Sequence, residues 1–359
     1  MGKCIMPQVF VIGGGDEDIG TGDYLVRYID YDGTILKEKR VDSGGSVTPP
    51  TAPTHEGLTF DEWTATSTNV TSNLDIRAVY YTTDGKTLFG LRSTVATGKD
   101  VVLYLNKSDG STLTIDWGDG SSNDFTNTSY FNTGIHTYAN YGDYDVKMWI
   151  SEGIGTYGFG DGSGSITVVG GSTQTQRDML LYAFVGDSVV SIIGYAFQNC
   201  YSLTNVTIPS GIMSIGANAF YKCYSLTSIT IPNSVANISA ASFRYCYSLT
   251  NITIQNSVIS VSNFAFSDCF SLTSITIPNS VTSVGTNAFA NCLSLKTYVF
   301  ERTAGITALG ATNTFTGINS ATKIYVPDDL VDDYKIAANW TTYADYIYPI
   351  SEKGVTHND

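Results

Sequence analysis

From Phe197 onward the apolar positions of this chain recur on a fixed step of twenty-three residues. Phenylalanine stands at Phe197, Phe220, Phe243, Phe266 and Phe289, cysteine at Cys200, Cys223, Cys246, Cys269 and Cys292, and leucine at Leu203, Leu226, Leu249, Leu272 and Leu295. A fixed period in the twenties predicts a solenoid, in which each coil buries its apolar face only by stacking on the next. Within a coil, Phe-x-x-Cys-x-x-Leu places apolar groups three apart, which predicts a short helical or 3₁₀ turn. Ile-Thr-Ile follows and alternates inward, outward, inward, as a strand pairing in parallel with its copy in the next coil. Proline ends that strand at Pro209, Pro232 and Pro278, with Gln255 in its place once, and a second apolar pair such as Ile212 and Ile215 or Val281 and Val284 closes the turn.

The periodicity changes elsewhere. Residues 24–83 read as strand, Asp32-Gly33 turn and strand, then a proline-rich connection (Pro49, Pro50, Pro53) and further strands ending at Ala78-Val79-Tyr80. Residues 84–152 contain Asp116-Trp117-Gly118-Asp119-Gly120, then His136-Thr137-Tyr138, with Tyr144 and Val146 alternating as a strand would. Gly118 and Gly120 permit a tight turn. Residues 153–178 are glycine-rich and read as a linker, and residues 1–23 as a short docking strand with a Gly13-Gly14-Gly15 hinge. After the repeats of residues 179–327, residues 328–359 read as a cap and tail. There a helix over Asp328–Asn339 would turn Leu330, Tyr334 and Ala338 inward, and Trp340, Tyr343, Tyr346 and Tyr348 would cover the open end of the core. The fold class expected is mainly β and multidomain: a small β-grasp-like module, an immunoglobulin-like sandwich, and a solenoid with a C-terminal cap.

Charge narrows the partners. The chain carries a formal net charge of −14, and phosphate backbones need a basic stripe that it lacks, so nucleic acid is excluded. Between Leu180 and Phe300 only Asp187, Lys222, Arg244, Asp268 and Lys296 are charged, so the repeats sit near +1 while the rest of the chain is acidic. Stacked coils point equivalent thiols the same way, whereas a disulfide needs its Cβ atoms facing each other; a buried column of free thiols is expected. No metal is expected, since no Cys-x-x-Cys spacing exists and the three histidines are scattered. Asp116, Asp119 and Asp124 do not match an EF-hand loop and read as turn-forming carboxylates rather than calcium ligands. Gly13-x-Gly15 is followed by Asp18, so the dinucleotide fingerprint fails and no cofactor is expected. No stretch approaches a membrane span, and the N-terminus lacks the pattern of a secretory signal. No Ser/His/Asp or Cys/His arrangement is recognisable, so an enzyme is the least favoured class.

Three resemblances add to this reading. Tyr31-Asp32-Gly33-Thr34, Gly57-x-Thr59-Phe60-x-x-Trp63, Asn69-Val70-Thr71 and Ala78-Val79-Tyr80 resemble the Listeria–Bacteroides repeat, with Leu58 where an aromatic is usual; that likeness implies a spacer or adhesive stalk. The Trp117-Gly118-Asp119-Gly120 turn with His136-Thr137-Tyr138 and Gly142-x-Tyr144-x-Val146 resembles a PKD-type immunoglobulin-like sandwich. The five coils resemble the BspA-type leucine-rich repeat, a degenerate sixth matching through Phe315, Ile324, Val326 and Pro327. This implies a binding scaffold of adhesins and host-interaction proteins, without catalytic residues to carry over.

Two surfaces are candidates for a ligand. The strands carry Thr207, Thr230, Thr253 and Thr276 in a row; directly after each cysteine come Tyr201, Tyr224, Tyr247 and Phe270. Aromatic rows beside polar groups suit sugar rings or a partner protein, and the alternative is that these rings only shield the coil edges. Residues that differ from coil to coil, such as Gln198-Asn199, Tyr221-Lys222, Arg244-Tyr245 and Ser267-Asp268, are where specificity is expected. The expected setting is a phage virion surface, with residues 1–23 docking on other virion subunits and the repeats reaching host-surface glycan or protein. A bacterial surface or secreted adhesin, and a purely structural virion subunit, are the alternatives; homo-oligomerisation is left open.

Overall fold

The computed structural model describes residues 22–30, 34–55, 58–63, 67–68, 70, 74–82, 87–93, 100–101, 104–107, 111–126, 129–132, 136–139, 142–152, 157–159, 180–186, 189–318 and 320–353. The expectations for the docking strand and its glycine hinge, the Asp32-Gly33 turn, Gly57, Asn69 and Cys4 lie outside the described residues. The chain divides into two compact units, Met1–Gly85 and Lys86–Asp359.

In the first unit β1 (Tyr24–Ile29), β2 (Ile35–Val41), β3 (Leu58–Trp63) and β4 (Leu74–Thr82) form one mixed sheet in the order β2-β1-β4-β3. The β1–β4 pair is parallel and its flanking pairs are antiparallel. Alternation puts Val26 and Tyr28 of β1 inward with Val47, Val70 and Ile76. The Tyr28 ring meets Trp63 edge-on at 5.0 Å, and its hydroxyl donates to the Val47 carbonyl at 3.2 Å, so this buried polar group is paired.

In the second unit the strands of residues 87–159 are not separate from the repeats. They comprise β5 (Thr87–Ser93), β6 (Asp100–Val101), β7 (Tyr104–Lys107), β8 (Thr112–Asp116), β9 (Ser122–Phe125), β10 (Ser129–Asn132), β11 (His136–Thr137), β12 (Gly142–Glu152) and β13 (Tyr157–Phe159). The stretch read as a linker thus includes a strand. β5 pairs antiparallel with β14 (Leu180–Phe184), and β13 pairs parallel with β15 (Val189–Ile192), the first strands of the repeats. Both sheets therefore run on into the solenoid, and Leu91, Ile115 and Trp117 share one buried cluster with Phe197 and Cys200. At the joint a Cβ on Gly90 would lie 2.1 Å from the Tyr182 ring, so only glycine lets that ring cross the strand.

Each coil contributes one strand to each sheet. On one side follow β16 (Asn205–Thr207), β18 (Ser228–Ile231) and β20 (Asn251–Ile254); on the other, the two-residue strands β17 (Ser214–Ile215), β19 (Asn237–Ile238), β21 (Ser260–Val261), β23 (Ser283–Val284) and β25 (Ala308–Leu309). The first ladder stops at β20 and resumes as a separate sheet of β22 (Ser274–Ile277), β24 (Thr297–Phe300), β26 (Lys323–Val326) and β27 (Ile347–Pro349), while the second runs unbroken. That stop falls where Gln255 replaces proline, and Ile254 is partly exposed there whereas Ile231 and Ile277 are buried.

The turn between the sheets differs from the 3₁₀ expectation. Bonds of the i→i−3 type are present, as from Cys200 N–H to the Phe197 carbonyl and from Leu203 N–H to the Cys200 carbonyl. Each coil also holds two left-handed residues, such as Asn218 and Lys222 or Phe264 and Asp268, with φ between 53° and 67°, which a 3₁₀ helix does not contain. They free alternate N–H groups to reach the next coil: Tyr195, Phe197 and Asn199 donate to the carbonyls of Ala217, Ala219 and Tyr221. Inside, the phenylalanine rings stack nearly parallel at 5.0–5.4 Å. The five cysteines of the repeats are free and buried, and the Sγ of Cys223, Cys246, Cys269 and Cys292 each donates to the carbonyl of the phenylalanine one coil back. Burial pushes the Cys292 thiol up to about 12 and raises Cys223, Cys246 and Cys269 likewise, so these thiols are inert.

The C-terminus closes the stack as expected, with one correction. The helix is short: a 3₁₀ turn at Asp328–Leu330, then α1 (Val331–Ile336). Ala337 is extended (φ −66°, ψ 151°), so Ala338 falls outside the helix and is exposed rather than inward. Tyr334, Trp340 and Tyr343 are buried and serve the last coil's backbone. Tyr334 accepts from Thr307 N–H, Trp340 Nε1 donates to the Thr307 carbonyl at 2.7 Å, and Tyr343 donates to the Thr312 carbonyl.

One coil breaks the pattern inside. Ser242 occupies the position of Ala196, Ala219, Ala265 and Ala288, is fully buried, and its hydroxyl has no hydrogen-bond partner. Ser242→Ala removes that orphan and should raise stability by about 1 kcal/mol. Chemical denaturation of both proteins checks this; a loss of stability would mean the hydroxyl is bonded.

Candidate functional site

The segment from each phenylalanine to the residue after cysteine is a surface loop held by its two buried anchors. Its outward positions therefore stand in columns, one residue per coil. Tyr201, Tyr224, Tyr247 and Phe270 form the first column, with successive ring centroids 4.5, 4.6 and 4.8 Å apart and interplanar angles of 20°, 1° and 7°. The three tyrosines are half-buried and Phe270 is exposed. The rings therefore use their faces on one another. What they offer outward is a row of edges and hydroxyls rather than a flat platform.

The two residues before each cysteine make two further columns and carry the charges. Lys222 Nζ lies 5.4 Å from the Tyr221 ring and 5.9 Å from the Tyr245 ring. The Arg244 guanidinium lies 4.5 Å from Tyr245 and 4.8 Å from Phe264, within cation–π range. Arg244 Nε also faces Asp268 Oδ2 at 3.5 Å. Asp268 is buried and further held by the Ser267 hydroxyl and by Asn291 Nδ2 at 2.8 Å. Tyr245 meets Tyr247 edge-on at 6.0 Å and so ties the cations to the tyrosine column. Tyr221 and Tyr245, two of the variable positions, seat the cations: Tyr221 meets Lys222, and Tyr245 meets both. The signal for them was an aromatic beside a base in two successive coils.

The threonine row is a separate feature. Thr207 is half-buried, Thr230, Thr253 and Thr276 are exposed, and Thr230 and Thr253 stand directly opposite in register. The row sits on strands and the tyrosines on loops, and it crosses the point where the ladder stops between Thr253 and Thr276.

The Asp-rich turn of residues 116–124 is occupied by its own hydrogen bonds. Asp116 accepts from Gly118 N–H, Asp119 accepts from Ser121 N–H, and Asp124 accepts from the Thr114 hydroxyl. His136 stacks on Trp117 at 4.3 Å and faces Asp119 at 3.0 Å. Partial desolvation would raise the Asp119 carboxyl, but Ser121 and His136 together hold it below the ordinary carboxylate value.

These features fit what the chain resembles. Residues 181–296 match the BspA type leucine rich repeat region in six copies, and residues 24–90 match the Listeria-Bacteroides repeat domain. The chain carries both domains. Among solved structures, a leucine-rich repeat protein from Bacteroides ovatus is 21% identical, with 45% of this chain and 52% of that one covered and a TM-score of 0.33. The leucine rich repeat protein of T. pallidum is 27% identical over 40% of this chain and 75% of its own, with a TM-score of 0.31. The pneumococcal vaccine antigen PcpA is 13% identical over 45% and 66%, with a TM-score of 0.28. The chain thus spans about half the length of the Bacteroides ovatus protein. No curated protein matches it.

Within the BspA-type region, burial and the neighbouring Tyr201 and Tyr247 push the Tyr224 hydroxyl up to about 12, and burial with the Asp268 charge raises Tyr247. A phenol whose value is raised on folding stabilises the fold below its ordinary value of 10.0 and loses that contribution as the pH climbs through about 12. Tyr224→Phe should therefore lose less stability between those pH values than the unaltered protein, as denaturation at both would show. Equal losses would mean that the column does not hold the Tyr224 proton.

Proposed function

We propose that this protein is a non-enzymatic adhesion protein that presents its BspA-type repeats to a surface ligand. The observation that carries this reading is the joined aromatic surface: four stacked rings, with Lys222 and Arg244 seated beside them on Tyr221 and Tyr245. A stiff stack of rings loses little conformational freedom on binding, and Tyr and Arg are the residues that dominate recognition surfaces. Residues 24–83 act as spacer. Residues 84–152, read as PKD-type from the Trp117-to-Gly120 turn, hold the first coil. The setting is a virion surface, with residues 1–23 docking on the particle. Buried, reduced thiols suit a chain that folds in the cytoplasm and is released by lysis. The ligand is host-surface glycan or protein, and the threonine row extends the contact.

The test is saturable binding of the full chain to Gram-positive cells and their isolated wall polysaccharides. Changing Tyr224 and Tyr247 together to Ser should weaken binding about tenfold or more while unfolding stays cooperative. Unchanged binding would remove the column from the site. No binding by the full chain would leave the repeats a structural role in a particle.

A further inference from the structure

The stacking of the tyrosine column decides the kind of ligand it takes. An aromatic ring is negative on its faces and positive at its edge. Here the faces of Tyr201, Tyr224, Tyr247 and Phe270 are turned on one another at 4.5–4.8 Å. A ligand therefore meets positive C–H edges and phenol hydroxyls. The Tyr224 hydroxyl is hydrogen-bonded to Tyr201, so the phenols form a linked polar row along the column. The surface as a whole is made to receive oxygen acceptors, not to stack on a neutral sugar face.

The charges agree. Arg244 and the carboxylate of Asp268 compensate each other. Lys222 takes part in none of the ion pairs found among the described residues. Its ammonium, held between Tyr221 and Tyr245, is the uncompensated charge of this patch. The chain around the repeats is acidic, with −14 overall. An acidic polymer is thus repelled by most of the protein and drawn to this patch, which fixes where it lands.

Resting on the adhesion reading above, we propose that the ligand of the aromatic column is an acidic polysaccharide, and that Lys222 receives its carboxylate or phosphate while the tyrosine hydroxyls bond its oxygens. Asn occupies the position of Lys222 in two other coils, at Asn199 and Asn291, with the same left-handed backbone. Lys222→Asn therefore removes the charge with a residue this coil geometry already accepts, and Lys222→Arg keeps the charge.

The experiment measures binding of the full chain to polygalacturonate, to its methyl ester, to poly(glycerol phosphate) and to poly-glutamate. Expected are binding to an acidic polysaccharide that weakens with salt, about tenfold loss on esterification or in Lys222→Asn, and recovery in Lys222→Arg. Preference between polygalacturonate and poly(glycerol phosphate) identifies carboxylate or phosphate as the group received. Equal binding to polygalacturonate and its ester, untouched by Lys222→Asn, would overturn the acidic ligand and leave adhesion standing. Binding to poly-glutamate alone would assign the patch to an acidic peptide and overturn the polysaccharide. Binding to none of the four, with host cells still bound through Tyr224 and Tyr247, would overturn this inference alone; loss of cell binding as well would take the adhesion reading with it.

Discussion

Paired strands sit about 4.8 Å apart, and in a solenoid that step is imposed on every side chain that repeats. The phenylalanine rings at 5.0–5.4 Å, the tyrosine rings at 4.5–4.8 Å and the thiols bonded one coil back are all consequences of it. Inside, it gives a dense column of like groups in which the thiols of Cys223, Cys246, Cys269 and Cys292 are hydrogen-bonded despite their burial. Outside, it turns single residues into rows, and a row has properties that its members lack. An isolated tyrosine offers a face; a stacked one offers an edge.

A stack held by coil-to-coil pairing must be ended, since an open coil shows both bare apolar side chains and unpaired backbone. The two ends are closed differently. At the N-terminal side β5 and β13 continue the sheets, so backbone pairs with backbone across the joint at Gly90 and Tyr182. At the C-terminal side one sheet is continued by Ile347–Pro349 pairing in parallel with Lys323–Val326. At the last coil's Thr307 and Thr312, side chains take the place of a strand: Tyr334, Trp340 and Tyr343 supply the donors and acceptors, and the Trp340 and Tyr343 rings cover Phe315.

The buried half of this design was legible in the sequence because burial and repetition coincide there. Phe, Cys, Leu and the strand isoleucines could be placed by counting, and so could the closing role of Tyr334, Trp340 and Tyr343. What counting could not give was orientation. That Tyr224 and Tyr247 are neighbours follows from the period, but that their planes lie within 1° of parallel depends on rotamers the period does not specify. Tyr221 and Tyr245 could be named as variable positions, but not their contact, because they belong to different columns, one after the phenylalanine and one before the cysteine. The β5–β14 joint pairs segments with no common pattern, one in the sandwich strands and one in a degenerate first coil. The end of α1 was misplaced because Ala337 and Ala338 are good helix formers, and extended Ala337 is dictated by the packing of Trp340 rather than by propensity.

The left-handed residue before each cysteine sets limits on how such a surface can diversify. Asn199, Lys222, Tyr245, Asp268 and Asn291 all share that backbone, and it is the column in which successive coils differ most in charge. A residue branched at Cβ is disfavoured there, so Val, Ile and Thr are excluded from the position best placed to vary. The alphabet that remains is amide, carboxylate, amine and phenol, drawn from unbranched side chains. A duplicated coil can therefore change the polarity and charge of its contact without touching the core, and each such change leaves the stack beneath it the same.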